Sequence, residues 1–138
     1  MARKFSISNS QFSIRNTTKQ KPPRVSFALL KDEILGKQFE VSLVFCGSAL
    51  SRSLNRQYRL KDKVGNVLAF PLSAQAGEIF ICLEKAKREC QKFDMKYSQF
   101  IAYLFIHGSL HLKGMTHGAK MEKLENKILN VATHRSWY

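Results

Sequence analysis

Long apolar runs are missing from this 138-residue chain. No stretch of about 18 apolar residues occurs, so no membrane-spanning helix is expected. The longest candidate, "FIAYLFIHGSLHL" (Phe100 to Leu112), is short and carries two histidines. Cysteine is sparse as well. Cys46, Cys82 and Cys90 form neither a paired framework nor a CxxC knuckle, and they read as reduced thiols of a cytoplasmic protein. Acidic residues are the third deficit. Ten Asp and Glu face 23 Lys and Arg, a formal net charge of +13, which favours an anionic partner, nucleic acid before an acidic membrane surface.

What is present fits one domain spanning residues 1–138. The hydrophobic fraction of 44% supports a single core, and wholesale disorder is not expected. Residues 1–24 form a basic N-terminal segment. Arg3, Lys4, Arg15, Lys19, Lys21 and Arg24 all precede the first acidic residue, Asp32. No apolar core follows that charged beginning, so it does not read as a secretory signal.

Periodicity gives the elements. "RKFSIS" and "FSIR" alternate as half-buried strands do, and Pro22 with Pro23 breaks the chain after them. Val25, Leu29, Leu30 and Ile34 recur at helical spacing up to a stop at Gly36. "FEVSLVFCG" is β-prone. Ser48 is placed to cap a helix through "ALSRSLNRQYRL", with Leu50, Leu54 and Tyr58 on its apolar face. "NVLAFPL" is a strand that Pro71 assigns to a sheet edge or to the point where it leaves the sheet, and "GEIFIC" is another strand. Helices follow in "LEKAKREC" towards Asp94, from Ser98 to about Leu112, and in "AKMEKLENKILNVA", where Met121, Leu124, Ile128 and Val131 share a stripe. The class is α+β: a small mixed four-stranded sheet packed with about five helices.

The chemistry concentrates in "HGSLHLKGMTH". His107 and His111 are one helical turn apart on one face, and Gly114 permits a left-handed turn that returns His117 to them. Three imidazoles suit one zinc ion, at the end of a central helix. Nickel and copper are disfavoured by availability. Three protein ligands leave a fourth position open, the pattern of a catalytic rather than a structural site. The spacing HxxxHxxGxxH matches the metzincin frame, but Gly108 stands where a zinc protease carries its glutamate base. A metalloprotease is therefore the weakest functional reading.

"HGSLHLKGMTH" resembles the HGxLHLxGYDH motif of the YbeY family of bacterial endoribonucleases, the rRNA maturation factors. Ser53 to Pro71, "SLNRQYRLKDKVGNVLAFP", is similar to that family's LNxxYRxxDxxTDVLSFP pattern. "GEIFIC" resembles its LGDIxI strand, and "KMEKLENKIL" its MExLExxI helix. The matches keep their order from about residue 40 to 130.

The resemblance implies a zinc-dependent endoribonuclease specific for single strands. Its implied work is 16S rRNA 3′-end maturation and ribosome quality control, with metal-activated water attacking a phosphodiester. It makes His107, His111 and His117 the metal ligands, with His111 also in the catalytic set. Arg59 becomes a catalytic and RNA-binding residue, since a guanidinium grips phosphate by two parallel hydrogen bonds. Asn66 is a substrate-contact or turn candidate, and Arg3 and Lys4 are candidate backbone contacts. Thr116 stands where the family has an acid, so Thr116 and Glu78 are the candidates for supporting a ligand. RNA is the expected partner, without DNA specificity, and the ribosome or ribosomal proteins are further candidates. The loss of the acid at Thr116 leaves a second reading open: a catalytically impaired RNA- or ribosome-binding protein braced by zinc.

Overall fold

A computed structural model of the chain describes the backbone of residues 6–8 and 11–138 and the side chains from residue 11 onward. Arg3 and Lys4 lie outside the described residues. The elements run β1 (Ser6–Ser8), β2 (Phe12–Asn16), α1 (Phe27–Leu35), β3 (Glu40–Cys46), α2 (Ser48–Arg59), β4 (Val67–Ser73), β5 (Ala76–Cys82), α3 (Leu83–Glu89), α4 (Tyr97–Leu112) and α5 (Ala119–His134).

The mixed sheet expected from the sequence is formed by β2, β3, β5 and β4, and the three-residue β1 extends one edge. β2, β3 and β5 are parallel, while β1 and β4 pair antiparallel at the two edges. Pro71 lies on edge strand β4, and the β4–β5 register slips between Pro71 and Ser73. A proline at an edge costs the ladder no donor.

Strand alternation divides the two faces. Leu43 pairs with Ile79, and Phe45 with Ile81; these side chains join Phe27 and Leu30 of α1 and Phe105 of α4 in the main core. α4 is the centre of that core. Phe100, Ile101, Leu104, Phe105, Ile106, Leu110 and Leu112 are all buried, each worth about 1.5–3 kcal/mol in transfer from water. On the opposite sheet face, Tyr58 of α2 meets Phe70, which meets Phe80, at centroid distances of 5.3 and 5.8 Å.

Three local expectations are corrected. Ser48 is the first residue of α2 rather than its cap, and its hydroxyl instead donates to the Glu84 carboxylate. The buried face of α2 is not Leu50, Leu54 and Tyr58, since Leu50 and Tyr58 are exposed; it is the polar pair Ser51 and Asn55. Ser51 Oγ donates to the Gly65 carbonyl at 2.6 Å, and Asn55 Nδ2 to the Lys63 carbonyl at 3.0 Å, so the helix satisfies the backbone of the loop that follows it. Finally, α3 ends at Glu89 instead of running to Asp94, which takes a left-handed conformation with φ 53°.

Gly108 sets how closely α4 approaches the sheet. A Cβ there would lie 3.2 Å from Ile79 Cγ2 and 3.3 Å from Val67 Cγ2. Gly108→Ala is therefore expected to destabilise the fold by about 1–3 kcal/mol through overpacking. Equilibrium urea unfolding measures it, and an unchanged midpoint would contradict the close approach.

Candidate metal centre

α4 is buried over most of its length, yet His107 and His111 stand only partly buried near its C-terminal end. Helical spacing places their rings on one face, with centroids 4.6 Å apart. The helix stops at Leu112, and Gly114 takes φ +103°, a conformation that disfavours any side chain. The chain then turns back, and His117 reaches both rings at 5.0 and 4.5 Å. One nitrogen from each of the three lies within 4.8 Å of the others.

Each of the two helical histidines has one nitrogen committed elsewhere. His111 Nδ1–H donates to the Met115 carbonyl at 3.0 Å. His107 Nδ1–H donates to the Glu125 carboxylate. The remaining Nε2 atoms face each other at 3.1 Å. In neutral rings these are two lone pairs turned inward, an arrangement that a cation stabilises. Tetrahedral coordination at about 2.0–2.1 Å from nitrogen would separate such donors by about 3.3 Å, so the three residues fit a metal. Burial lowers the pKa of His111, reinforced by His107, which keeps it in the neutral form a ligand needs.

Glu125 is the functional residue that sequence reasoning missed. It lies on α5, only 4% exposed, and orients His107 from 18 residues away. A carboxylate on the Nδ1 side fixes the tautomer and raises ligand basicity. The available signal was its position: Glu125 falls four residues after Met121 and three before Ile128, inside the buried stripe of α5. Leu124 and Val131, assigned to that stripe from the sequence, are only partly buried.

The other candidates separate. Arg59 lines the same cleft as His107, Gly108, His111 and His117, a space of about 290 Å³, and its Nη2 lies 3.5 Å from the Ala69 carbonyl on β4. Asn66 also lines it; its side chain donates to Glu89 at 3.0 Å, and its carbonyl receives the Cys82 N–H at 2.9 Å. Lys61, Lys63 and Lys85 complete a cationic rim, with Lys85 Nζ held by the Val64 carbonyl. Glu78 does not join the site. It alternates with Ile79, which packs against Gly108, and so it projects from the other sheet face. Thr116 is exposed and makes no side-chain hydrogen bond among the described residues; the backbone of its neighbour Met115 positions His111. Gly108 lines this cleft too, and a side chain in its place would press its Cβ on Ile79 and Val67.

The family model "Endoribonuclease YbeY" matches residues 4–133. The chain belongs to the YbeY endoribonuclease family. The YbeY endoribonuclease of Alteromonas mediterranea is 38% identical over 113 residues, covering 75% of this chain and 71% of its own. That of Colwellia psychrerythraea is 33% identical over 124 residues, 80% of both chains. The solution structure of TM1509 from Thermotoga maritima shares 25% identity at a TM-score of 0.56, over 75% of this chain and 76% of that one. The segments "HGSLHLKGMTH" and "SLNRQYRLKDKVGNVLAFP", which carried the resemblance to YbeY proteins, are the ones that meet at this cleft.

Glu125→Ala is expected to weaken zinc binding about 10- to 100-fold, read by competition with a chromogenic chelator. An affinity equal to that of the unaltered protein would show that the carboxylate does not support His107.

Proposed function

We propose that this chain is a zinc-dependent endoribonuclease that cleaves single-stranded RNA, working in rRNA processing at the 16S 3′ end and in ribosome quality control. The observation that carries it is the convergence of three imidazoles and Arg59 on one cation-rimmed cleft. Family membership supports RNA as the substrate. The proposal takes residues 1–138 as one cytoplasmic domain holding one zinc ion, with the ribosome or ribosomal proteins as partners. No helix among the described residues is long and apolar enough to cross a membrane.

His107, His111 and His117 would hold the metal. Bound there, zinc supplies Lewis acidity towards a phosphoryl oxygen and lowers the pKa of water to about 7. The residues of the chain do the rest. Glu125 keeps His107 in the Nδ1–H tautomer, and the Met115 carbonyl does the same for His111. Arg59 stands at the end of α2, where its guanidinium grips a phosphate and stabilises charge that grows on it during cleavage. Lys61, Lys63 and Lys85 attract the backbone without regard to base, and Arg3 and Lys4 would extend that attraction. Asn66 forms the cleft wall where β4 begins and would touch substrate.

A second reading, a zinc-braced RNA- or ribosome-binding protein without cleavage, has one observation in its favour. No Asp or Glu lines the cleft among the described residues, so no side-chain carboxylate is there to take a proton. A single experiment separates the two. Zinc-loaded protein is incubated with a labelled single-stranded RNA, and fragments are resolved on a gel. Cleavage is expected, lost with His111→Ala and lowered about 100-fold by Arg59→Ala. RNA that is retained but stays intact would establish the binding protein instead.

A further inference from the structure

A second cleft lies away from the histidines and has no part in the chemistry above. Its volume is about 1060 Å³, and it opens where the parallel pairing of β2 with β3 ends, at Asn16 and Phe45. That end of a parallel sheet is where α/β folds commonly receive ligands. Phe27, Phe45, Val25 and Tyr97 supply an apolar floor, and Lys19, Lys21, Arg24 and Lys87 supply charge. No carboxylate lines it, and none of these four cations has an acidic partner among the described residues.

Two further features make this more than a charged surface. Tyr97 offers the cleft its ring and not its hydroxyl, which is buried away from solvent without a hydrogen-bond partner. The wall from residue 16 to 20 is also braced. Asn16 Oδ1 accepts from the Thr18 N–H at 2.9 Å and the Thr18 hydroxyl at 2.7 Å, while Asn16 Nδ2 donates to the Gln20 carbonyl at 2.8 Å. Pro22 and Pro23 then stiffen the segment that carries Lys21 and Arg24. A wall ordered in advance loses less entropy on binding.

The two clefts share neighbouring elements. Lys85 of α3 lines the histidine cleft and Lys87 of the same helix lines the second. Tyr97 and His107 stand ten residues apart on α4, about 15 Å along its axis. We infer that this second cleft is a binding subsite for single-stranded RNA, which holds a nucleobase against Val25 and Tyr97, over the buried Phe27 and Phe45, and backbone phosphates on Lys19, Lys21, Arg24 and Lys87. The inference rests on the ribonuclease reading and deepens it. One strand crosses α3 and occupies both clefts, so the enzyme favours substrates long enough to fill them. A floor that is apolar and a rim that is cationic match a nucleotide better than an acidic peptide, which offers charge without a ring to bury.

The test is fluorescence anisotropy with oligouridylates of about 4 and about 12 nucleotides, lengths that bracket one and two clefts. The unaltered protein is expected to bind the longer probe at least tenfold more tightly. A triple variant, Lys19→Ala with Lys21→Ala and Arg24→Ala, changes exposed side chains, and its melting temperature checks that it folds. It should lose that length preference and lower the salt slope by about 2, at about 0.7 per phosphate contact. An abasic strand of the longer length should bind the unaltered protein several-fold more weakly than oligouridylate. Equal binding of both lengths by the triple variant and the unaltered protein alike would overturn the subsite alone. Failure of the unaltered protein to bind any RNA at low salt would overturn the ribonuclease reading itself. Labelled polyglutamate bound more tightly than RNA, and released by the same triple variant, would reassign the cleft to an acidic protein partner.

Discussion

Two imidazole nitrogens held 3.1 Å apart, with their protons committed elsewhere, are the constraint around which this molecule is arranged. Two lone pairs so placed are stabilised by a cation between them, and the neighbouring elements keep them there. Burial of α4 fixes the position of His107 and His111. Gly108, between them, lets the helix lie close on Ile79 and Val67. Glu125 reaches across from α5, and the Met115 carbonyl closes the turn that returns His117. The site is built from a packed core outward, so the three imidazoles are positioned by the fold itself.

The same architecture explains why a protease-like spacing does not carry protease chemistry. In this fold position 108 packs tightly on Ile79 and Val67, and its glycine brings no carboxylate to the cleft. The charge that the cleft offers comes instead from Arg59 and the lysines of the α2–β4 loop, which Ser51 and Asn55 hold by their backbone. A cationic rim around an open three-histidine cluster favours an anionic, extended substrate over a peptide.

How much of this was legible in the sequence depended on distance along the chain. The three histidines and Gly114 fall within eleven residues, and helical periodicity with a left-handed turn suffices to bring them together. The strands, the edge position of Pro71 and the central helix follow from local pattern in the same way. Glu125 did not, because its partner is 18 residues away and lies on another helix, a pairing set only by how α5 packs on α4. The face of α2 was read inverted for a related reason. Hydrophobic periodicity assumes that apolar residues go inside, whereas here the inward duty is to satisfy loop carbonyls, which Ser51 and Asn55 do and leucine cannot. Glu78 was a candidate by motif position, and strand alternation placed it on the far face.

The most direct test of the central claim is X-ray absorption spectroscopy at the metal edge of the zinc-loaded protein. The account predicts three imidazole nitrogens at about 2.0–2.1 Å and one non-protein oxygen, the signature of an open three-histidine site. A coordination shell lacking histidine scattering, or one closed by a fourth protein ligand, would contradict it.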